Sequence, residues 1–277
     1  MGLRLDNIGF SYPAASGSGE SALTDVSLLV ESGELVLVLG ATGSGKSTLL
    51  RIASGLLERS SGSATIEDAP LTRANARGAV GLVFQDAEAQ LFAESVLDDV
   101  AFGPANLGAS KDAARSAARE ALQRVGLPPE RFATRSPFGL SGGEARRAAV
   151  AGVLAMSPRY LLMDEPTSGL DARGRDAVRA IIRAERKRCG IVVVSHSAAE
   201  FLADADRVVL LSGGRQAFCG QPRDLIARPA FFAEAGLVAP DVLRVQELAA
   251  ERGIVLGEFS LDAEAAAASL AAAGGWR

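Results

Sequence analysis

Gly40, Ala41, Thr42, Gly43, Ser44, Gly45, Lys46, Ser47 and Thr48 form a continuous Gly-x-x-x-x-Gly-Lys-Ser loop with one more hydroxyl residue. Without side chains, glycines let successive backbone N–H groups turn inward around an anion. The loop follows the apolar run Leu35 to Leu39 and precedes a helical pattern opening at Ser47. That strand–loop–helix context places a helix N-terminus, with its partial positive charge, behind the anion. The predicted ligand is a nucleotide triphosphate. Lys46 is expected at its β- and γ-phosphates, and Ser47 on Mg²⁺.

Two further groups suit hydrolysis. Tyr160 to Met163 is an apolar run that ends in Asp164 and Glu165. The ends of such strands are where an open α/β sheet collects its ligands. Asp164 is expected to hold Mg²⁺, and Glu165 to polarise an attacking water. His196 is the chain's one histidine and also follows an apolar run, Ile191 to Val194. It is expected to hold the γ-phosphate and the water in line. A solvated acidic turn and a structural histidine are ordinary features by themselves. Their position at strand ends, in a chain that carries the phosphate loop, gives them chemistry.

The elements that must position these residues are legible as apolar runs. Leu35 to Leu39, Val80 to Phe84, Tyr160 to Met163, Ile191 to Val194 and Val208 to Leu211 suit strands buried on both faces. Helical patterns at Ser47 to Leu57, Ala113 to Val125, Glu144 to Met156 and Asp176 to Arg188 lie between them. The alternation predicts an α/β fold with a mainly parallel sheet. Leu3 to Ile8 alternates like an edge strand, and Val26 to Val30 reads as a second strand. Ala14 to Glu20 reads as a loose Gly/Ser-rich turn. Residues 86 to 156 have no buried-strand run and read as an inserted helical subdomain. From residue 225 the chain reads as a small helical extension, ending in a weakly anchored Ala-rich segment; residues 1 to 224 form the main domain.

Composition supports a packed core: 48% of the 277 residues are hydrophobic and 22% are charged. A net charge of −4 argues against nucleic acid as the main partner. The two cysteines, Cys189 and Cys219, suit reduced thiols better than a disulfide framework or a metal cluster. Met1 to Phe10 does not read as a signal peptide. No apolar run approaches the roughly 20 residues of a membrane span, so a membrane role must pass through a partner.

Leu140-Ser141-Gly142-Gly143-Glu144 opens a helix with a good N-cap and bare backbone N–H groups. Taken with Tyr12, the phosphate loop, Gln85, Asp164-Glu165, the Ser168 to Asp171 loop and His196, it resembles the ATP-binding cassette family over residues 1 to 220. The resemblance implies a P-loop nucleotide-binding domain with an N-terminal antiparallel β subdomain. It also implies Tyr12 stacked on adenine, and Gln85 on Mg²⁺ and coupled to the helical subdomain. Ser141, Gly142 and Gly143 would bind ATP held by a second ATPase subunit, identical or paralogous, and Asp171 would communicate across that dimer. Glu144 stands where the family usually has Gln, beside the ribose, so nucleotide affinity or the cross-subunit contacts are expected to change.

Gln85 to Val96, Asp99 to Pro104 and Asn106-Leu107-Gly108 resemble the ATPases of energy-coupling factor importers of vitamins and transition-metal ions. So does the tail around Gly236-Leu237 and Pro240 to Leu243. That resemblance implies a peripheral place at the cytoplasmic membrane face. There, two ATPases dock a membrane scaffold subunit and, through it, a substrate-binding membrane subunit. Leu91, Phe92 and Val96 would be apolar anchors, and Asp98 or Asp99 would meet scaffold arginines; Leu91 and Phe92 would otherwise fill the core. Besides the ATPase of another ABC transporter branch, two other readings are a soluble non-transport ABC ATPase and a P-loop kinase or regulatory nucleotide binder. The first is disfavoured by the absence of a heptad run and of a second cassette, the second by the Leu140 and Asp171 segments.

Overall fold

The computed structural model describes residues 2–13 and 21–274. The expected turn at Ala14 to Glu20 lies outside them. The chain opens with strands β1 (Gly2–Ser11), β2 (Ser21–Glu31) and β3 (Leu35–Gly40), then helix α1 (Lys46–Ala53), strands β4 (Ser61–Ile66) and β5 (Ala69–Pro70), helix α2 (Arg73–Ala76) and strand β6 (Val80–Val83). A helical stretch follows: a 3₁₀ turn at Ala87–Gln90, α3 (Val96–Asn106), α4 (Lys111–Arg124), α5 (Pro129–Phe132), a second turn at Pro137–Gly139 and α6 (Gly142–Leu154). Next come β7 (Tyr160–Asp164), α7 (Ala172–Glu185), β8 (Gly190–Ser195), α8 (Ala198–Phe201), β9 (Arg207–Ser212) and β10 (Arg215–Gly220). Four helices close the chain: α9 (Pro222–Ile226), α10 (Ala230–Glu234), α11 (Asp241–Glu251) and α12 (Ala263–Gly274).

Two sheets result. The larger has the order β10-β9-β3-β8-β7-β6 and is parallel except for β10. All five apolar runs lie in it, and side-chain alternation sends their residues to two different cores. Leu37, Leu39, Met163 and Val193 face α3, α4, α6 and α7. Val36, Val38, Leu162 and Val194 face α1 and the smaller sheet. The smaller sheet has the order β2-β1-β4-β5 and is antiparallel. It corrects one expectation: β1 is not an edge strand, because β2 and β4 flank it on both sides. Its alternation reflects one buried and one wet face, which a central antiparallel strand shows as readily as an edge strand.

Of the closing helices, α9, α10 and α11 are not separate from this core. Phe232 of α10, Leu237 just beyond it and Leu243 of α11 pack in the same cluster as the strands of the larger sheet. Among the described residues, no helix is long and apolar enough to cross a membrane. Cys189 and Cys219 are free, and burial pushes the Cys189 thiol up to about 12.

Candidate active site

The order of strands brings the ends of β3, β7 and β8 side by side, and the chemistry collects there. Residues 40–45 connect β3 to α1. Gly45 sits at the α1 N-cap with φ 97°, in left-handed backbone. A Cβ there would lie 2.6 Å from both Ala22 O and Leu23 Cδ2, so this position admits only glycine. No side chain caps α1, and its first turn holds no acidic residue. The first-turn N–H groups therefore face the cleft as donors for an anion. Lys46 Nζ donates to Gly40 O at 2.7 Å and Ala41 O at 2.9 Å, spanning the loop. Burial lowers the Lys46 ammonium from its ordinary range, while the charges of Glu165 and Asp164 oppose that shift.

A cleft of about 530 Å³ opens over the loop. Of the residues expected from sequence, Tyr12, Thr42 to Thr48, Gln85, Asp164, Glu165 and His196 line it. Asp164 is the last residue of β7, and its Oδ1 is buried with no hydrogen-bond partner among the described residues. Ser47, Gln85 and Asp164 can each present an oxygen donor of the kind a hard divalent cation takes, and the orphaned Oδ1 fits that use. Tyr12 hydrogen-bonds Thr48 Oγ1 at 3.0 Å, and its ring meets Phe10 edge-on at 4.9 Å. Tyr12 lines the cleft and is partly exposed, so its ring offers apolar surface of the kind a flat base takes.

Glu165 adopts φ 48°, unusual for a residue with a Cβ. Its N–H donates to Val194 O of β8 at 3.0 Å, which fixes the turn. The carboxylate Oε2 lies 2.8 Å from His196 Nδ1. The sequence alone aimed His196 at the phosphate; the structure joins it first to Glu165, with most of the imidazole still exposed. Burial raises the Glu165 carboxyl above its ordinary range, opposed by His196 and Lys46. A carboxylate of raised basicity, oriented by an imidazole and facing an anion-binding loop, is equipped to take a proton from water.

The remaining expected residues are elsewhere. Ser141 caps α6, with Gly142 and Gly143 in its first turn, and none of the three lines the cleft. Asp171 caps α7, accepting from Gly174 N at 2.7 Å, and is also outside it. The starts of α1 and α6 are thus separate: the first is uncapped and faces the cleft, and the second is capped by Ser141 and carries Glu144 in its first turn.

The docking residues need correction. Leu91 and Val96 are buried in the core, at 8% and 0% exposure. Asp99 accepts from the N–H groups of Phe92 and Ala93, both at 2.8 Å, and Asp98 pairs with Arg115. Of the three apolar residues only Phe92 faces outward, at 58% exposure, edge-on to the likewise outward Phe102 with 4.8 Å between ring centres, and Asp98 stays exposed beside Arg115. The stretch from Leu91 to Val96 could not say which residues face out, because the end of a 3₁₀ turn and a helix start follow no single period.

Sequence reasoning also missed Arg146, which is 4% exposed. Its Nε lies 3.2 Å from Glu88 Oε2 and its Nη2 lies 3.5 Å from Ser168 O. It thus joins α6, the turn after Gln85 and the loop after Glu165. The signal was available: helical spacing sets Arg146 on the same face as Ala149 and Val150. Glu200 was missed too; it accepts from Thr167 Oγ1 and lies 3.9 Å from Arg175, whose Nη1 donates to Leu170 O at 2.9 Å.

With the geometry in hand, comparison with known proteins is specific. Residues 23–168 match the family model described as ABC transporter. The energy-coupling factor transporter ATP-binding protein EcfA2 of Streptococcus pneumoniae serotype 2 is 41% identical over 92% of this chain and 94% of its own length. The structure of cbiO1 from Clostridium perfringens, described as part of the ABC transporter complex cbiONQ, superposes with a TM-score of 0.73 at 30% identity, covering 88% of this chain and 98% of that one. The dimeric bacterial ABC transporter cassette MJ0796 gives a TM-score of 0.71 at 28% identity, covering 80% and 99%.

Proposed function

The chain belongs to the ABC transporter family, and from that membership we propose that it is the ATP-hydrolysing subunit of an energy-coupling factor importer for a vitamin or a transition-metal ion. The observation that carries this reading is one cleft lined by the phosphate loop, Asp164 and the Glu165–His196 pair. The likeness to an energy-coupling factor ATP-binding protein over 92% of the chain supports the choice of branch.

Tyr12 would stack on adenine, and Lys46 with the loop N–H groups would hold the phosphates. Mg²⁺ would rest on Ser47, Gln85 and Asp164; bound there, it would neutralise charge on the phosphate oxygens. Glu165 would accept the proton of the attacking water. His196 would orient Glu165 through Nδ1–H, and as an imidazolium, with both ring nitrogens protonated, it would donate from Nε2 to the γ-phosphate. Ser141, Gly142 and Gly143 lie away from the cleft of their own chain, so they would complete the cleft of a second ATPase subunit, identical or paralogous. Asp171 would lie where the chains cross. Closure of that dimer at the cytoplasmic membrane face would move a scaffold subunit and, through it, the substrate-binding membrane subunit.

Phe92 and Phe102 are the apolar groups best placed to meet that scaffold. Phe92→Ala is expected to weaken scaffold binding by on the order of 2 kcal/mol, about thirty-fold, while the melting temperature and scaffold-free hydrolysis stay near wild type. Undiminished co-purification with the scaffold would remove the aromatic pair from the docking surface. The function as a whole is tested by phosphate release from ATP with no acceptor present. A P-loop kinase would release almost none, and this chain with its partner subunits is expected to release it continuously.

A further inference from the structure

Glu144 is the third residue of α6, and its carboxylate folds back over the start of the helix. Oε2 accepts from the Ser141 N–H at 2.9 Å and from the Ser141 hydroxyl at 3.1 Å. The same hydroxyl accepts from the Glu144 N–H at 3.4 Å, closing a capping box. Oε1 lies 3.8 Å from Arg135 Nη1, and Arg135 Nη2 donates to Gly139 O at 3.0 Å. The Arg135 guanidinium also lies 5.0 Å over the Phe132 ring, which fixes its position beside the helix start. Hydrogen bonding from the Ser141 backbone holds the Glu144 carboxyl below its ordinary range, so it is ionised at neutral pH.

A serine hydroxyl has a single proton to donate. In this structure that proton goes to a carboxylate of the same chain. Ser141, Gly142 and Gly143 are the residues assigned above to the ATP of the facing subunit, where they would meet its γ-phosphate, and this inference rests on that two-chain reading. We propose that Glu144 is a built-in competitor of the incoming triphosphate. Its carboxylate occupies the Ser141 donor and repels the phosphate, so closure needs more ATP than it would with a neutral residue there. Arg135 sets the strength of this brake by drawing the charge aside and partly neutralising it.

Glu144→Gln isolates the charge, because glutamine supports the same capping box. Its melting temperature is expected to match wild type. The ATP concentration for half-maximal hydrolysis is expected to fall roughly five-fold, as is that for half-maximal association in a Glu165→Gln background. The gap between the wild-type chain and Glu144→Gln should shrink as salt rises toward 1 M, where the screening length is about 3 Å. Arg135→Gln should raise the ATP requirement when Glu144 is present and leave it unchanged in the Glu144→Gln chain. An unchanged or higher ATP requirement for Glu144→Gln, or a gap indifferent to salt, overturns the brake. A Glu165→Gln chain that never associates with ATP, by itself or with its partner ATPase, overturns the two-chain reading itself, and this inference with it.

Discussion

Glu165→Gln is expected to abolish turnover while leaving nucleotide binding intact. The glutamine keeps the size of the side chain and can still meet His196, but it cannot take a proton. Losing a positioned general base costs about 10²- to 10⁴-fold in rate. Binding rests on the phosphate loop, which the substitution does not touch. ATP should therefore accumulate in a closed dimer, seen as a doubling of mass by light scattering when ATP and Mg²⁺ are added. The same substitution has a pH signature. Burial raises the folded Glu165 carboxyl above its unfolded value. A raised carboxyl contributes stability that is fully present below its unfolded pKa and is lost as pH rises through the folded one. The permanently neutral glutamine should thus melt above wild type at neutral pH, and the difference should close as the solution is acidified. Residual hydrolysis at wild-type rate would take the proton transfer away from Glu165.

The second large effect concerns Lys46. Its ammonium already bridges Gly40 O and Ala41 O at 2.7 and 2.9 Å, so it sits within reach of anything the loop encloses. Its charge-assisted bonds to phosphate are each worth roughly 1.5–3 kcal/mol. Lys46→Ala should weaken ATP binding by about 100-fold or more. Hydrolysis at ordinary ATP concentrations would vanish with it, and the fold should persist because α1 keeps its apolar face. Titration with a fluorescent ATP analogue measures the loss directly. Unchanged affinity would mean that the loop binds through its backbone alone.

Much of the cleft was legible because its parts are local. The phosphate loop is a run of nine residues between a wholly apolar strand and a helix, and Asp164, Glu165 and His196 each follow an apolar run. A strand buried on both faces advertises itself in sequence, and its end advertises the site. What stayed hidden depends on distant pairs or on orientation. No spacing rule brings Arg146 to Glu88 and Ser168, or Glu200 to Thr167 and Arg175. Alternation in Leu3 to Ile8 could not say whether a neighbour lay on one side or both. Leu91, Phe92 and Val96 share one chemistry, and only the packing of α3 against α6 decides that Phe92 alone turns outward. The Glu144 substitution was visible, but its consequence needed the position of Arg135.

The central claim is that each reaction pocket is built from two chains, and a mixing experiment tests it most directly. Lys46→Ala breaks the phosphate loop. Gly143→Asp puts a negative charge at the α6 start, where a Cβ meets only Arg147 Nη1 at 3.9 Å and the fold can accept it. Each variant alone should be inactive. Where the second subunit is a copy of this chain, random pairing in a 1:1 mixture gives mixed dimers with one intact pocket, so hydrolysis should recover to roughly a quarter of wild type; where it is a paralogue, the loop variant of one chain is combined with the α6 variant of the other. A Gly143→Asp chain that hydrolyses ATP at the wild-type rate by itself would contradict the account, because the facing helix would then have no part in the reaction.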